Sequence, residues 1–300
     1  MSSIRALSLL CLVAPLAACA ATSGEGDVGS SAQALECDAT GIWAIKIETP
    51  VKWNSSFVLQ SGTGVVTNWL LSNRTQQGLA ITDTADLCGV ETPDYQAAVL
   101  FGSEKYGVQF PDATFGSLPK VTLTGTMSSH EVGATFSTPA SAALVGASLA
   151  NPATDAWPSN VANVVSVDMD GDGKPGISAD AKVGTGLSFP PVNATRSARA
   201  DRVYTAFRQV LASTSGTVTS CDRIEGKGTI AVIAGKAAID SHVMGCRRTD
   251  GAECNASEYK LLDSAAPVYQ PTGEATITMV KLPANATPTC AEVRSMSFAN

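Results

Sequence analysis

Asp168, Asp170 and Asp172 alternate through the segment Asp168-Met169-Asp170-Gly171-Asp172-Gly173-Lys174-Pro175-Gly176. Carboxylates at every second position, interrupted by glycine, let a short loop curl several hard oxygen atoms around one cation. Calcium suits such a loop, because it accepts about six to eight oxygen ligands in forgiving geometry. Gly173 permits the sharp turn, and the main-chain carbonyl of Lys174 falls where a seventh-position ligand is needed. Position nine is Gly176 and position twelve is Ala179, with Asp180 one residue late, so water and a displaced Asp180 would complete the shell. The same residues also suit a metal-free Asp/Gly turn between a strand ending near Val167 and one starting near Ile177. In either form the loop is a staple and not a reaction centre.

The loop resembles the calcium loops of EF-hand and dockerin modules. It is more similar still to the hairpin loops of FG-GAP-type repeats, which often read Asp-x-Asp-Gly-Asp-Gly-x-Pro-Asp. That resemblance implies Asp168, Asp170, Asp172 and the Lys174 carbonyl as ligands of a structural Ca2+. The departures at Gly176 and Ala179 imply a weakened site. Extracellular calcium modules work at dissociation constants of about 10⁻⁴–10⁻³ M, so such a site still fills outside the cytoplasm.

Cysteine usage points to an oxidising compartment. Of eight cysteines, Cys11 lies in the N-terminal leader and Cys19 directly follows it, and Cys37, Cys88, Cys221, Cys246, Cys254 and Cys290 remain. An even number in an exported chain reads as a disulfide framework. Thr249-Asp250-Gly251 is a three-residue hairpin loop, and counting outward from it sets Cys246 opposite Cys254. One bridge per half of the chain then gives Cys37–Cys88 and Cys221–Cys290. Zinc is excluded by the spacing, since there is no Cys-x-x-Cys and the two histidines are His130 and His242.

Other chemistry is sparse. No Gly-x-Ser-x-Gly elbow, phosphate loop or dinucleotide fingerprint occurs. A secreted hydrolase would require Asp240, His242 or another carboxylate to converge with a serine in one cleft. Gly41-x-Trp43 near the start of the first strand and Arg294 near the end resemble the lipocalin signature, in which an early Gly-x-Trp packs against a late basic residue. That resemblance implies a barrel enclosing a small apolar ligand. Asn54, Asn73, Asn193, Asn255 and Asn285 open Asn-x-Ser/Thr sequons, to which no function is assigned.

Export itself is read from the N-terminus. Arg5 and the apolar run 6–16 form a leader too short to span a bilayer, followed by Leu16-Ala17-Ala18-Cys19. This order resembles the lipobox of bacterial lipoproteins, which implies cleavage of residues 1–18 and acylation of Cys19. The membrane, reached through that lipid anchor, is then a partner. Ordinary cleavage after Ala18-Cys19-Ala20 is the rival. Ala20 lacks the Asp that marks inner-membrane retention, so an outer-membrane location is expected, periplasmic or surface-facing. Residues 19–35 read as the lipidated Cys and a flexible linker.

The positioning elements read as strands. The chain has 44% hydrophobic and 16% charged residues and a net charge of −7, which suits a core and opposes nucleic-acid binding. Trp43, Ile45 and Ile47 alternate with Ala44, Lys46 and Glu48, and Val121, Leu123, Gly125 and Met127 alternate with threonines. Further strands are expected near 64–72, 217–221, 258–263, 274–282 and 291–298. Residues 198–212 read as a helix or a strand. Residues 36–300 form a β-rich domain, with a soft boundary at 139–160 that would separate two lobes. The expectation is an all-β antiparallel sandwich or barrel, disulfide-stabilised, serving as an envelope binding, adhesion or structural module for an unknown protein or small-molecule ligand. A lipocalin-like carrier of a small apolar ligand is the alternative.

Overall fold

The structure, a computed structural model, describes residues 36–55, 60–99, 102–182 and 199–299. The leader, Cys19 and the linker lie outside the described residues. Those described fall in one compact unit, and segment 139–160 runs within it.

Eight strands of the described chain close into a barrel: β1 (Gly41–Ser55), β2 (Gln60–Gln77), β3 (Ala80–Glu91), β4 (Val121–Met127), β5 (Thr135–Thr138), β6 (Ala200–Ser220), β7 (Arg223–Ile230) and β8 (Ala275–Lys281). Each pairs antiparallel with the next in chain order, and β8 returns to β1, so this wall has no free edge. Period-two alternation decides which residues face inward. On β1 these are Trp43, Ile45, Ile47 and Thr49; opposite them on β2 lie Ser72, Leu70, Asn68 and Val66.

The barrel's two ends differ. β2–β3, β4–β5 and β6–β7 are joined by short connections at the end where β1 begins. The other end carries the long connections 92–120, 139–199 and 231–274. The first described residues are tied to the short-turn end. Glu36 bridges Glu131, the Cys37 amide donates to the His130 carbonyl, and Cys37 is disulfide-bonded to Cys221 in the β6–β7 turn.

Five expectations are corrected. Cys37 pairs with Cys221 and Cys88 with Cys290, not Cys37 with Cys88 or Cys221 with Cys290. Closing the barrel sets Cys37 beside the β6–β7 turn, and the C-terminal segment returns to β3. Of residues 198–212, those described are not a helix: from Ala200 they form the first half of β6. That half is flanked by strand Ile239–Arg248 on one side and by Ile177–Ala181 and Ser141–Val145 on the other. Ladder bonds on both edges override its helical propensity. The strands expected near 258–263 and 291–298 are instead helices α2 (Ala256–Ala265) and α3 (Cys290–Ser295), which follow the short helix α1 (Asp112–Ser117) in chain order. Each opens with a capping box, Asn255 with Glu258 and Thr289 with Glu292. The third bridge, Cys246–Cys254, joins the residues that the hairpin count sets opposite one another.

Candidate functional site

At the short-turn end the barrel is plugged. Trp43 donates its indole N–H to the Ala39 carbonyl at 2.8 Å, and the Arg74 guanidinium lies 4.6 Å from the Trp43 ring centroid. On its other side Arg74 lies 5.2 Å from the Phe136 ring. Asp83, directly opposite Arg74 on β3, accepts its Nε and Nη2 hydrogens at 2.8 and 2.9 Å, and the Ser72 hydroxyl adds a third bond at 2.7 Å. Arg74 is 0% exposed and Asp83 4%, so this ion pair is withdrawn from water. The bidentate fork and two aromatic faces offset part of the desolvation, while Arg74 Nη1 is buried without a hydrogen-bond partner. The basic residue over Trp43 is therefore Arg74 and not Arg294. Arg294 sits on α3, donating to the Cys88 carbonyl and the Asp112 carboxylate.

Above the plug the interior holds open space. A cavity of about 50 Å³ touches Ile45, Leu123, Phe136 and Ile277. Next comes one of about 120 Å³ walled by Ile47, Leu70, Leu87, Leu144, Met169 and Leu211. A second cavity of about 120 Å³, beneath the long connections, is walled by Val66, Val90, Phe110, Phe207, Ile239 and Leu262. Tyr95 and Tyr269 border it; Tyr95 meets Trp53 edge-on and Tyr106 at a tilt, and Tyr269 packs against this aromatic cluster. Burial pushes the Tyr269 hydroxyl up to about 12.

Asn68 and Gln209 border both larger cavities. The Asn68 Nδ2 hydrogen is donated to Gln209 Oε1 at 2.7 Å, and Gln209 Nε2 donates to Thr49 Oγ1 at 2.9 Å. This chain of buried neutral groups crosses from β2 to β6 to β1 and marks the divide between two apolar chambers.

The acidic loop lies on the connection before strand Ile177–Ala181. Asp168, Asp170 and Asp172 each offer a carboxylate oxygen, all within 4.8 Å of one another. Gly171, Gly173 and Gly176 take φ of 71°, 79° and 90°, a left-handed path that brings the side chains to one centre. Asp168 accepts the Gly171 and Gly173 amides, and Asp170 and Asp172 accept the Ser178 amide and hydroxyl. Asp170 Oδ1 is buried with no hydrogen-bond partner. Burial first, then the neighbouring Asp172 and Asp168 charges, raise the Asp170 pKa. Three gathered carboxylates with one orphaned oxygen fit a hard cation. Asp180 does not join them: it forms a bidentate pair with Arg202 at 2.6 and 3.2 Å. Lys174 gives its amide to Asp172 and its ammonium to Glu253. Met169, between two of these carboxylates, reaches inward to the wall of the lower chamber.

The histidines have structural partners. His130 Nδ1 meets Gln76 Nε2 at 2.9 Å. His242 is nearly buried, with Nδ1 on the Asp263 carboxylate at 2.9 Å and Nε2 on the Pro158 carbonyl at 2.8 Å. Trp157 stacks on the ring at 5.8 Å. Two acceptors require both ring nitrogens to donate, which only the imidazolium does. Burial opposes that charge, but the Asp263 and Pro158 bonds and the Asp263 and Asp240 charges outweigh it and raise the pKa. Arg208 clamps the same segment, donating to the Pro152 and Asp155 carbonyls while pairing with Asp240 at 2.6 Å. Asp240 and His242 thus serve anchoring roles, and neither is bonded to a serine hydroxyl among the described contacts.

No protein-family model matches the chain, and no curated protein matches it.

Proposed function

We propose that this chain is an exported, lipid-anchored binding protein of the cell envelope whose barrel takes up a small, mainly apolar molecule. The supporting observation is the pair of apolar chambers above a plugged floor, each walled partly by strands of the closed eight-stranded barrel and partly by the connections at its other end. Barrels of this strand number are just wide enough to be filled by side chains or to hold one small ligand. Apolar cavities of about 150 Å³ stay dry and accept benzene-sized guests, which is the scale of each chamber. Ca2+ in the Asp168–Asp172 loop serves this reading as a fastener, since Met169 carries that loop into the chamber wall. The Cys19 lipid anchor would hold the barrel at the outer membrane.

The test is titration with the fluorescent apolar probe N-phenyl-1-naphthylamine, using the full chain with Cys19→Ser so that no acyl chain competes. Saturable enhancement is expected. Val66→Trp, which fills the upper chamber, should reduce it while circular dichroism and Tm stay near the parent values. Absence of saturable binding, or binding indifferent to Val66→Trp and Leu70→Trp alike, would overturn the reading. Anchoring is read separately by palmitate labelling, expected in the native chain and lost in Cys19→Ser; an unlabelled native chain would refute it.

A further inference from the structure

We infer that the guest is an uncharged molecule with one hydrogen-bonding group, of the amide, ester or ketone kind, set between two small apolar parts. This rests on the carrier reading above and specifies the ligand that the same two chambers select.

Charge is disfavoured by the lining. The charged residues bordering the two larger chambers are Arg208, Asp240 and Lys120. Arg208 is bound to Asp240 at 2.6 Å, and Lys120 is bound to Asp86 at 2.8 Å with 61% of its side chain in solvent. An ionic guest would therefore lose its hydration with no unpaired counter-charge among these side chains to replace it.

A wholly apolar guest is disfavoured by the middle. Asn68 and Gln209 are 6% and 7% exposed and belong to both chambers. Their bonds to each other and to Thr49 use one N–H of each carboxamide and the Gln209 carbonyl. The Asn68 carbonyl and one N–H on each amide remain for a guest, so the divide offers both a donor and an acceptor. A guest that ignores them leaves buried polar groups without exchange for water, the penalty that makes polar sites reject apolar analogues. Each chamber, at about 120 Å³, takes a ring-sized apolar part.

Three compounds with the same two phenyl arms and a three-atom spacer separate the alternatives. N-benzylbenzamide carries an amide, 1,3-diphenylpropane carries no polar group, and dibenzylamine is a cation at pH 7. Each is used to displace N-phenyl-1-naphthylamine from the full chain bearing Cys19→Ser. N-benzylbenzamide should displace the probe at least tenfold more effectively than the other two. In the double variant Asn68→Leu with Gln209→Leu the amide should lose its advantage over the hydrocarbon while the probe still binds. In Gln209→Glu the order should shift toward dibenzylamine. Hydrocarbon or cation binding as tightly as the amide in the parent, or an order unchanged in Gln209→Glu, would overturn the inference while leaving the carrier reading standing. Failure of the probe itself to bind would remove both.

Discussion

Removing the Asp83 carboxylate should be among the most damaging single changes in this barrel. Asp83 is the only charge bonded to the fully buried Arg74 among the described contacts, through two hydrogen bonds of 2.8 and 2.9 Å. In Asp83→Ala the guanidinium keeps only the faces of Trp43 and Phe136 and the Met279 sulfur. Breaking a buried pair by deleting one partner costs about 3–5 kcal/mol, because the other charge is left uncompensated. For a domain of this size that corresponds to a fall in Tm of roughly 6–20 °C. Replacing both partners by apolar residues of similar volume, Arg74→Met with Asp83→Leu, removes the stranded charge and should recover most of that loss. Urea unfolding under non-reducing conditions measures the three variants, with an unchanged m-value as the check that only stability has moved. A cost below about 1 kcal/mol for Asp83→Ala, or a double variant as unstable as the sum of its single changes, would refute the reasoning.

Four further outcomes are expected. With Ca2+ at about 10 mM and a dissociation constant of about 10⁻⁴–10⁻³ M, occupancy should stabilise the chain by about 1.4–2.7 kcal/mol over chelated protein. Asp170→Ala should abolish that difference, and equal melting with and without chelator in the parent would rule the ion out. The Asp170 pKa is raised, so its ionisation weakens the metal-free fold as pH climbs through that value; bound Ca2+ should flatten this dependence. His242 works with the usual sign for a raised imidazole. Its contribution is complete below about pH 6.5 and is lost as pH rises through the elevated folded value. His242→Gln should remove that part of the pH profile of Tm, and a profile unchanged by the substitution would count against a charged ring. Finally, the Cys37–Cys221 and Cys246–Cys254 bridges span separations of 184 and 8 residues. Chain-entropy accounting gives about 5 and about 2.5 kcal/mol on paired Cys→Ser replacement. Equal losses in urea titrations would show that the unfolded chain is not what these bridges chiefly restrain.

The strands were legible wherever one face meets water. Trp43, Ile45 and Ile47 announce β1, and the threonines of β4 announce its outer face. β6 was ambiguous because residues 200–211 have neighbours on both edges and on both faces, which erases the alternation that separates strand from helix. The helices α2 and α3 were missed although Asn255-x-x-Glu258 and Thr289-x-x-Glu292 are both capping boxes in the sequence. The Asp cluster and the Cys246–Cys254 hairpin were readable because their spacing is local. The long-range pairings, Cys37 with Cys221 and Cys88 with Cys290, depend on how the sheet closes on itself, which no local pattern carries. Asn68, Arg74 and Gln209 went unnoticed because a polar residue in a strand is ordinarily assigned to the wet side. Their only signal is phase: Asn68 and Arg74 fall in step with Val66 and Leu70.

The Cys37–Cys221 bond also decides how the domain responds to a pull on its N-terminal segment. Tension arriving at Cys37 passes through a covalent bond into the β6–β7 turn before it reaches Gly41, where β1 begins. β1 is hydrogen-bonded along both edges, and without that shunt its ladder would be unzipped one rung at a time from its free end. With it, load is shared between β1 and the β6–β7 turn. The chambers that lie farther along the axis are thereby insulated from drag on the chain's leading end.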